Sequence, residues 1–425
     1  MLQALFIEEN KEKVIEGLKK RYFLSIEVLS LIKKILYLLN DKRRIQLKLD
    51  AFFSLFKKIS LQINKLIQIG KKEKAIDLYC KFYNIKKYIT YRNTIFSSVS
   101  KELLQNLLRI PNIPHEFVKK GNSSIDNEII YKYVKINASK YSKKFHHWDL
   151  KQINCNLGAK ISGSGFFLYK GKVVRLHRAM IEYFLEYNLQ RGYIEFSVPF
   201  LIKPFSALAT GQLPEKEGQM YYISRENLYL ISTGEIPLMN CYRDFIFKES
   251  QLPIKITTYT PCFRREAGAS GANVRGLNRL HQFDKVEIIQ ITTPEFSSYS
   301  LQEMVQHIKK LLISLKLPFR LLRLCGGDMG FTSAITYDFE VYSYAQNKWL
   351  EVSSISNCTD FQSNRLNLHY KKHNRRKTHI CHSLNGSSIA IQRLLAVLLE
   401  NYQTDKYIQI PEALIPYTGF KEIIF

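Results

Sequence analysis

Phe263-Arg264-Arg265-Glu266, the stretch AGASGANVRGLN, and Arg279-Leu280-His281-Gln282-Phe283-Asp284-Lys285-Val286-Glu287 form the segment on which the remaining sequence depends. TTYTPCF enters it and IIQI leaves it, both short runs of β-branched or apolar residues, which predicts a strand on each side. The stretch between them is rich in Gly, Ala, Ser and Asn and predicts a mobile turn. A strand, a turn and a returning strand would set Arg264, Glu266, Phe283 and Glu287 side by side on one sheet face. That set joins a cation suited to phosphate, carboxylates suited to amines, and an aromatic face suited to a base.

Composition narrows what such a face can serve. The chain has 425 residues, enough for two or three domains with a large core. With 46% hydrophobic and 24% charged residues it is not a disordered chain. The longest apolar candidate for a membrane span, LSLIKKILYLLN, is broken by Lys33-Lys34, so no membrane partner is expected. Glu8, Glu9 and Glu12 near the start do not fit a targeting peptide. Seven cysteines never form a C-x-x-C pair, which argues against a zinc ribbon or disulfide scaffold and for a reducing, cytoplasmic location. Cys262 and Cys358 read as small core residues.

The formal charge of +26 points to a polyanion, although a chain this rich in Lys, Ile, Asn and Tyr owes part of it to composition. Residues 1–110 hold 23 Lys/Arg against 10 Asp/Glu, so about half the excess sits on a quarter of the chain. The same quarter carries a heptad seam, Leu31, Ile35, Leu38, Lys42, Ile45, Leu49, Phe52, Phe56, Ile59, Ile63 and Leu66, with steps of four and three and a polar lapse at Lys42. Gly70-Lys71-Lys72-Glu73-Lys74 interrupts it. A second seam follows through Leu78, Phe82, Ile85, Ile89, Arg92, Phe96, Val99 and Leu103. Two seams joined by a short turn predict a coiled-coil hairpin, its first helix roughly 58 Å long at 1.5 Å per residue. Pro111 and Pro114 end the second helix, and GNSSIDN reads as polar linker. The expected domains are therefore 1–115, a nucleic-acid-binding helical arm, and 116–425, an α+β domain.

In the second part, Arg175 to Arg191 predicts an amphipathic helix with Met180, Ile181, Phe184 and Leu185 on one side, followed by the strand Tyr193–Val198 and Pro199. Beyond the central segment lie Leu230-Ile231-Ser232-Thr233-Gly234-Glu235 upstream and, downstream, a turn at Gly327–Phe331, the strand TYDFEVY and the run from Glu351 to Gln362. Leu384-Asn385-Gly386-Ser387-Ser388 and the apolar helix LLAVLLENY with Arg393 before it close the series.

These features resemble class II aminoacyl-tRNA synthetases. The helix, strand and Pro199 are similar to the first signature motif, the central segment to the second, and Leu384–Arg393 to the third, read as strand, tight glycine turn and helix. The wording is close to that of the seryl-tRNA synthetase family, including LLRIPNIPHE at the domain junction, and the resemblance spans almost the whole chain. It implies a mainly antiparallel sheet flanked by helices behind an antiparallel coiled-coil hairpin, a homodimer built on the first motif, and the activation of L-serine by ATP with Mg²⁺ before transfer to tRNA(Ser). tRNA(Sec) is a further acceptor it allows.

Carried over residue by residue, the resemblance makes Arg264 the holder of the α-phosphate and the incoming carboxylate, and Arg393 the holder of the γ-phosphate. Phe283 would stack on adenine and Glu266 accept from its amino group. Glu351 and Ser354 would bind Mg²⁺, and Arg265, Val352 and Ser353 belong to the same nucleotide-binding runs. Thr233, Gly234 and Glu235 would receive the ammonium group of serine, Glu287 and Ser387 its hydroxyl. The family commonly has Ala where this chain has Gly234, a change expected to loosen that loop, and Gly where it has Ser388. Taken singly the residues are ordinary: Arg264 with Glu266 reads as a structural ion pair, Glu351 as strand surface, Arg265 as an exposed neighbour and Ser387 as a turn or cap. Asn385-Gly386-Ser387 also spells a glycosylation sequon, which a cytoplasmic location sets aside. Two alternatives share the fold: an amino-acid:carrier-protein ligase, whose relatives lack the long arm, and a non-catalytic RNA-binding paralogue, which would show losses among Arg264, Glu266, Glu287, Glu351 and Arg393.

Overall fold

The computed structural model describes residues 1–23, 25–134, 145–214, 218–266, 276–373 and 375–424. The chain divides into two compact units, one of residues 2–19 and 23–110, the other of Met1, 20–22 and 111–425.

In the first unit, two short helices, Ala4–Glu9 and Lys11–Lys20, precede α1 (Ser25–Gln68) and α2 (Lys72–Leu107). With 44 residues, α1 is about 66 Å long. Gly70, at φ +76°, ends it in the left-handed conformation that glycine adopts without strain, and Lys71 N–H returns to Leu66 O at 3.0 Å. Ile35, Leu38, Ile45, Leu49, Ile59 and Ile63 of the first seam and Ile89 and Leu103 of the second are buried, so α1 and α2 zip as an antiparallel hairpin. Both polar lapses have a local reason. Lys42 lies 5.4 Å over the Phe96 ring, and Arg92 lies 5.2 Å over Tyr88, whose hydroxyl accepts from Arg92 Nε at 2.9 Å. Cations on aromatic faces keep the seam closed without apolar tips.

The second unit is built on an eight-stranded sheet of β1 (Glu128–Tyr133), β2 (Ile194–Glu195), β3 (Ile254–Phe263), β4 (Gln282–Thr292), β5 (Phe319–Arg323), β6 (Ile335–Ser343), β7 (Lys348–Thr359) and β8 (His382–Ala390). Its order is β1-β5-β6-β7-β8-β4-β3-β2, and every neighbouring pair is antiparallel except β2 with β3. Helices α3 (Lys172–Leu189), α4 (Glu235–Asn240), α5 (Ser297–Ser314) and α6 (Ile391–Asn401) pack against it. Phe184, Met304, Ile308, Phe339, Val352 and Leu395 share the main core.

The polar linker leads into β1, which covers the outer edge of β5. Three expectations change. The strand at Tyr193–Val198 shortens to Ile194–Glu195, because Pro199 and the chain turn away after two ladder positions. Arg264 and Glu266 lie just past the end of β3 rather than on it, Glu266 at φ +48°. The third motif has no glycine turn: Gly386 sits within continuous β8, opposite Ile288 and Ile355, where a Cβ would meet Ile355 Cγ1 at 3.1 Å and Met304 Cε at 3.3 Å. That glycine serves close packing of α5 on the sheet. Residues 267–275 of the expected mobile turn lie outside the described residues.

Candidate active site

A cavity opens where the ends of β3 and β4 meet β7 and the start of α6, lined by Arg264, Glu266, Phe283, Lys285, Glu351, Ser387, Gln392 and Arg393 among others. Phe283, Lys285 and Glu287 alternate along β4 and so share its inward face. Register across the sheet pairs Glu287 with Ser387 and brings β8 into the same wall. Arg264 is anchored outside the strand: its N–H donates to His281 O at 2.9 Å, its Nε to Ser232 O at 3.3 Å, and its guanidinium stands 5.1 Å over Phe283. Arg393 enters from the first turn of α6, with Nε donating to Asn278 O at 3.0 Å and Nη1 to Glu351 O at 2.9 Å. Glu266 is paired with Arg279.

Glu351 and Ser354 are three residues apart, an interval that in a regular strand would place them on opposite faces. The pairing of β6 with β7 runs Glu340–Glu351, Phe339–Ser353 and Asp338–Ser354, leaving Val352 as the extra residue of a bulge. Residues facing each other across a ladder share a face, so the bulge puts Glu351, Ser354, Asp338 and Glu340 on one side. A carboxylate and a hydroxyl beside Asp338 form an all-oxygen donor set of the kind a hard divalent cation prefers. Asp338 itself is held well above the usual carboxylate range, first by burial and then by the negative charge of Glu351.

Behind the cavity a buried polar cluster continues from Lys285. Its Nζ pairs with Glu287 and donates to Thr233 Oγ1 at 2.9 Å, and Thr233 Oγ1 donates to Glu287 Oε1 at 3.0 Å. Glu235 lies further in, bonded by Gln362 Nε2 and, at 2.6 Å, by Asn385 Nδ2. Loss of solvation is the main cause that raises the Glu235 carboxyl to about 7, and the charge of Glu287 adds to it against the bonds from Gln362 and Asn385 and the charge of Lys285.

The expected residues thus divide. Arg264, Glu266, Phe283, Glu351, Ser387 and Arg393 line one cavity, and Thr233, Glu235 and Glu287 form the buried cluster next to it. Four of the expected nucleotide-binding residues do not line the cavity: Val352 belongs to the core, Ser353 and Ser354 follow it on β7 with Ser354 opposite Asp338, and Arg265 points to solvent, its N–H donating to Gln219 O at 2.8 Å. Ser353 turns its hydroxyl to Ser387 O at 2.5 Å, tying β7 to β8. Sequence reasoning missed Lys285, which touches both halves. Its place two residues from Phe283 and two from Glu287 was the available signal.

Both departures at small residues have a structural account. Ser388 is the extra residue of a bulge opposite Val286–Glu287, and its hydroxyl donates to Asn188 Oδ1 on α3 at 3.3 Å. Gly234 adopts φ −65° and ψ −16°, open to any residue, so the expected loosening does not arise from its backbone. Its space is what matters: a Cβ there would meet Thr258 Cγ2 at 2.9 Å and Thr260 Oγ1 at 3.1 Å. Gly234→Ala is expected to cost about 1–3 kcal/mol by overpacking and to raise KM for the amino acid. Thermal unfolding together with steady-state kinetics checks this, and an unchanged melting temperature would show that Thr258 yields freely.

Residues 221–402 match the family described as tRNA synthetase class II core domain (G, H, P, S and T), and residues 1–114 match the Seryl-tRNA synthetase N-terminal domain. Among curated relatives, the protein named Serine--tRNA ligase of Salinibacter ruber is 39% identical, with 100% of this chain and 99% of the relative covered. That of Thermotoga maritima is also 39% identical over 100% of both chains. Of solved structures, seryl-tRNA synthetase from Pyrococcus horikoshii complexed with ATP has a TM-score of 0.89 at 30% identity, covering 100% of this chain and 99% of that one. The cytoplasmic serine-tRNA ligase of Naegleria fowleri in complex with AMP has a TM-score of 0.85 at 26% identity, again over 100% of this chain and 99% of that one. By sequence over its full length and by fold, the chain belongs to the seryl-tRNA synthetase family of class II aminoacyl-tRNA synthetases.

Proposed function

We propose that the chain is a serine–tRNA ligase that condenses L-serine with ATP to seryl-adenylate and pyrophosphate, then transfers the seryl group to tRNA(Ser). The observation that carries this reading is the convergence, from three distant stretches, of Arg264, Phe283, Glu351 and Arg393 on one cavity backed by the Thr233–Lys285–Glu287 cluster. A serine carboxylate oxygen attacks the α-phosphorus and the bond to pyrophosphate breaks. The nucleophile is already ionised, so positioning and charge neutralisation carry the barrier. Arg264 holds the α-phosphate and the carboxylate in its planar fork. Phe283 receives the adenine ring and Glu266 its amino group, which requires Arg279 to share that carboxylate. Arg393 takes the γ-phosphate. Glu351 and Ser354 would hold Mg²⁺, which neutralises phosphate charge when bound.

Thr233 and Glu235 serve the ammonium group, Glu287 and Ser387 the hydroxyl; Lys285 must release part of its pairing with Glu287 as serine enters. A pocket built around a hydroxyl leaves polar groups unpaired with alanine, so serine should be preferred by about 10⁴ in kcat/KM. Serine-dependent exchange of pyrophosphate into ATP tests function and specificity together. Exchange with alanine within about tenfold of serine would remove Glu287 and Ser387 from the roles given.

The raised carboxyl of Glu235 gives a pH dependence with a definite sign. Only the ionised form attracts an ammonium group, so KM for serine should climb as pH falls through about 7 while KM for ATP stays level. In Glu235→Gln the slope should vanish; the same slope in that variant would place the titrating group elsewhere. For stability the sign is opposite. The folded carboxyl holds its proton up to about 7 and the unfolded one releases it near the ordinary value of 4.5, so this residue's contribution falls as pH rises between them.

The long hairpin favours tRNA over a carrier protein as acceptor, since it adds a basic surface that activation does not need. A second copy of the chain is the proposed partner at the sheet's outer edge, where Ile194 of β2 and the neighbouring Phe200 and Leu201 are exposed. No helix among the described residues is long and apolar enough to cross a membrane, and all seven cysteines are free, which suits action in the cytoplasm.

A further inference from the structure

Arg393 owes its direction to a backbone carbonyl, Asn278 O, whose own place depends on what holds its turn. Asn278 ends a three-residue turn, Gly276–Asn278, the last three residues of the glycine-rich stretch. Besides the bond from Arg393, hydrogen bonds to His147 and Gln346 hold that turn. Leu277 N–H donates to His147 Nε2 at 2.8 Å, and Asn278 Nδ2 donates to Gln346 Oε1 at 2.8 Å. Because Nε2 accepts, the ring proton sits on Nδ1, which donates to Glu400 Oε1 at 2.7 Å. Gln346 Nε2 donates to Glu400 at 2.9 Å to Oε2 and 3.1 Å to Oε1, and Ser343 Oγ donates to Oε2 at 2.5 Å. Gly276, at φ +72°, lets the turn press on the rings: a Cβ there would lie 2.3 Å from His147 Nε2 and 2.4 Å from Trp148 Cε3.

Glu400 stands on α6, the helix that carries Arg393, seven residues and so about two turns further on. Both anchors of the turn therefore lead back to the helix whose arginine the turn orients. The bonds close a ring from Arg393 through Asn278 and Gln346 to Glu400, with His147 as a second strut. His147 and the Glu400 side chain are fully buried. A buried carboxylate is costly unless every lone pair is satisfied, and Glu400 receives donors from His147 Nδ1, His147 N–H, Ser343 and Gln346. None of these residues lines the cavity.

The geometry points to His147, Gln346 and Glu400 as a positioning device for Arg393: they fix the Asn278 carbonyl that aims the guanidinium at the terminal phosphate. The inference rests on the proposed γ-phosphate role of Arg393. If the device works, its loss weakens nucleotides that carry a γ-phosphate and spares AMP, which lacks one.

The test is the dissociation constant of ATP and of AMP for the full-length protein, measured by calorimetry. In His147→Phe, which keeps a ring but no acceptor, ATP should bind roughly tenfold more weakly, the scale of one charge-assisted hydrogen bond, while AMP stays within about twofold. Gln346→Leu should show the same selectivity with the His147–Glu400 pair intact, and decides the question if His147→Phe does not fold. His147→Gln, whose amide oxygen can accept from Leu277 N–H, should recover most of the ATP affinity. Arg393→Ala separates the two layers of the argument. If it weakens ATP and AMP alike, the γ-phosphate reading fails. If it is selective for ATP while His147→Phe and Gln346→Leu weaken both nucleotides equally, or neither, the positioning device is overturned and the network is structural support alone.

Discussion

Arg264→Ala is expected to leave the protein folded and to slow seryl-adenylate formation by about 10²- to 10³-fold, the scale of removing one electrostatic partner from developing charge. The fold should survive because Arg264 spends little on it: one hydrogen bond to Ser232 O at 3.3 Å and a place 5.1 Å over Phe283, both past the end of β3. Among the described residues, the other cations that line the cavity are already paired, Arg279 with Glu266. Lys285 is committed to Glu287 and Thr233, and Arg393 to Asn278 and Glu351. Arg264→Lys should recover only part of the rate, since an ammonium cannot hold a phosphate and a carboxylate in one plane. Single-turnover formation of pyrophosphate at saturating serine and ATP measures the step. A rate within about threefold of the parent in Arg264→Ala would mean that another group carries the α-phosphate.

What the sequence disclosed follows from which interactions are periodic. The seams of α1 and α2 repeat every three or four residues over many turns, so burial at Ile45, Leu49 and Ile89 was legible, as was the sharing of a face by Phe283 and Glu287 in β4. Interactions that break period were not. The bulge at Val352, which brings Glu351 and Ser354 to one face, leaves no mark in the letters EVSS. The bulge at Ser388 likewise turns an apparent defect in a glycine motif into a link with Asn188. Lys285 was passed over because a lysine on a strand usually faces water, whereas here Glu287 neutralises it in a buried cluster. His147 and Glu400 are 253 residues apart, and only the fold makes them neighbours.

The compact units are not continuous in sequence: Met1 and residues 20–22 group with the sheet-bearing unit. The Met1 amino group donates to Phe361 O, and Arg21 holds residues 20–22: its buried guanidinium donates to Asn112 O at 2.7 Å, Gly330 O at 3.1 Å and Met329 O at 3.2 Å, and also to Ser333 O. A single arginine between two helices gives no sequence sign of such a role.

Removing the hairpin should divide the two half-reactions. Residues 1–110 carry 23 Lys/Arg against 10 Asp/Glu, and no residue assigned to activation lies in that stretch. α1 and α2 run side by side where Lys34 pairs with Glu102 at 2.8 Å, so replacing residues 34–105 by a short flexible link joins ends that are already close. Serine-dependent pyrophosphate exchange should continue near the parent rate, and charging of tRNA(Ser) should nearly vanish. A gentler form reverses Lys57, Lys58, Lys71 and Lys72, all exposed near the turn of the hairpin, and leaves the buried seam intact. Those reversals should weaken tRNA binding and flatten its salt dependence by about 0.7–0.9 log units for each phosphate no longer neutralised. If exchange and charging fall together in the shortened protein, the hairpin supports the fold instead of the acceptor. If the reversals leave the salt slope unchanged, the surplus charge comes from composition and does not meet the tRNA. Separation of the half-reactions is the expected result, because the heptad seam makes the hairpin a unit that holds its own shape and the cavity draws every wall from residues beyond 260.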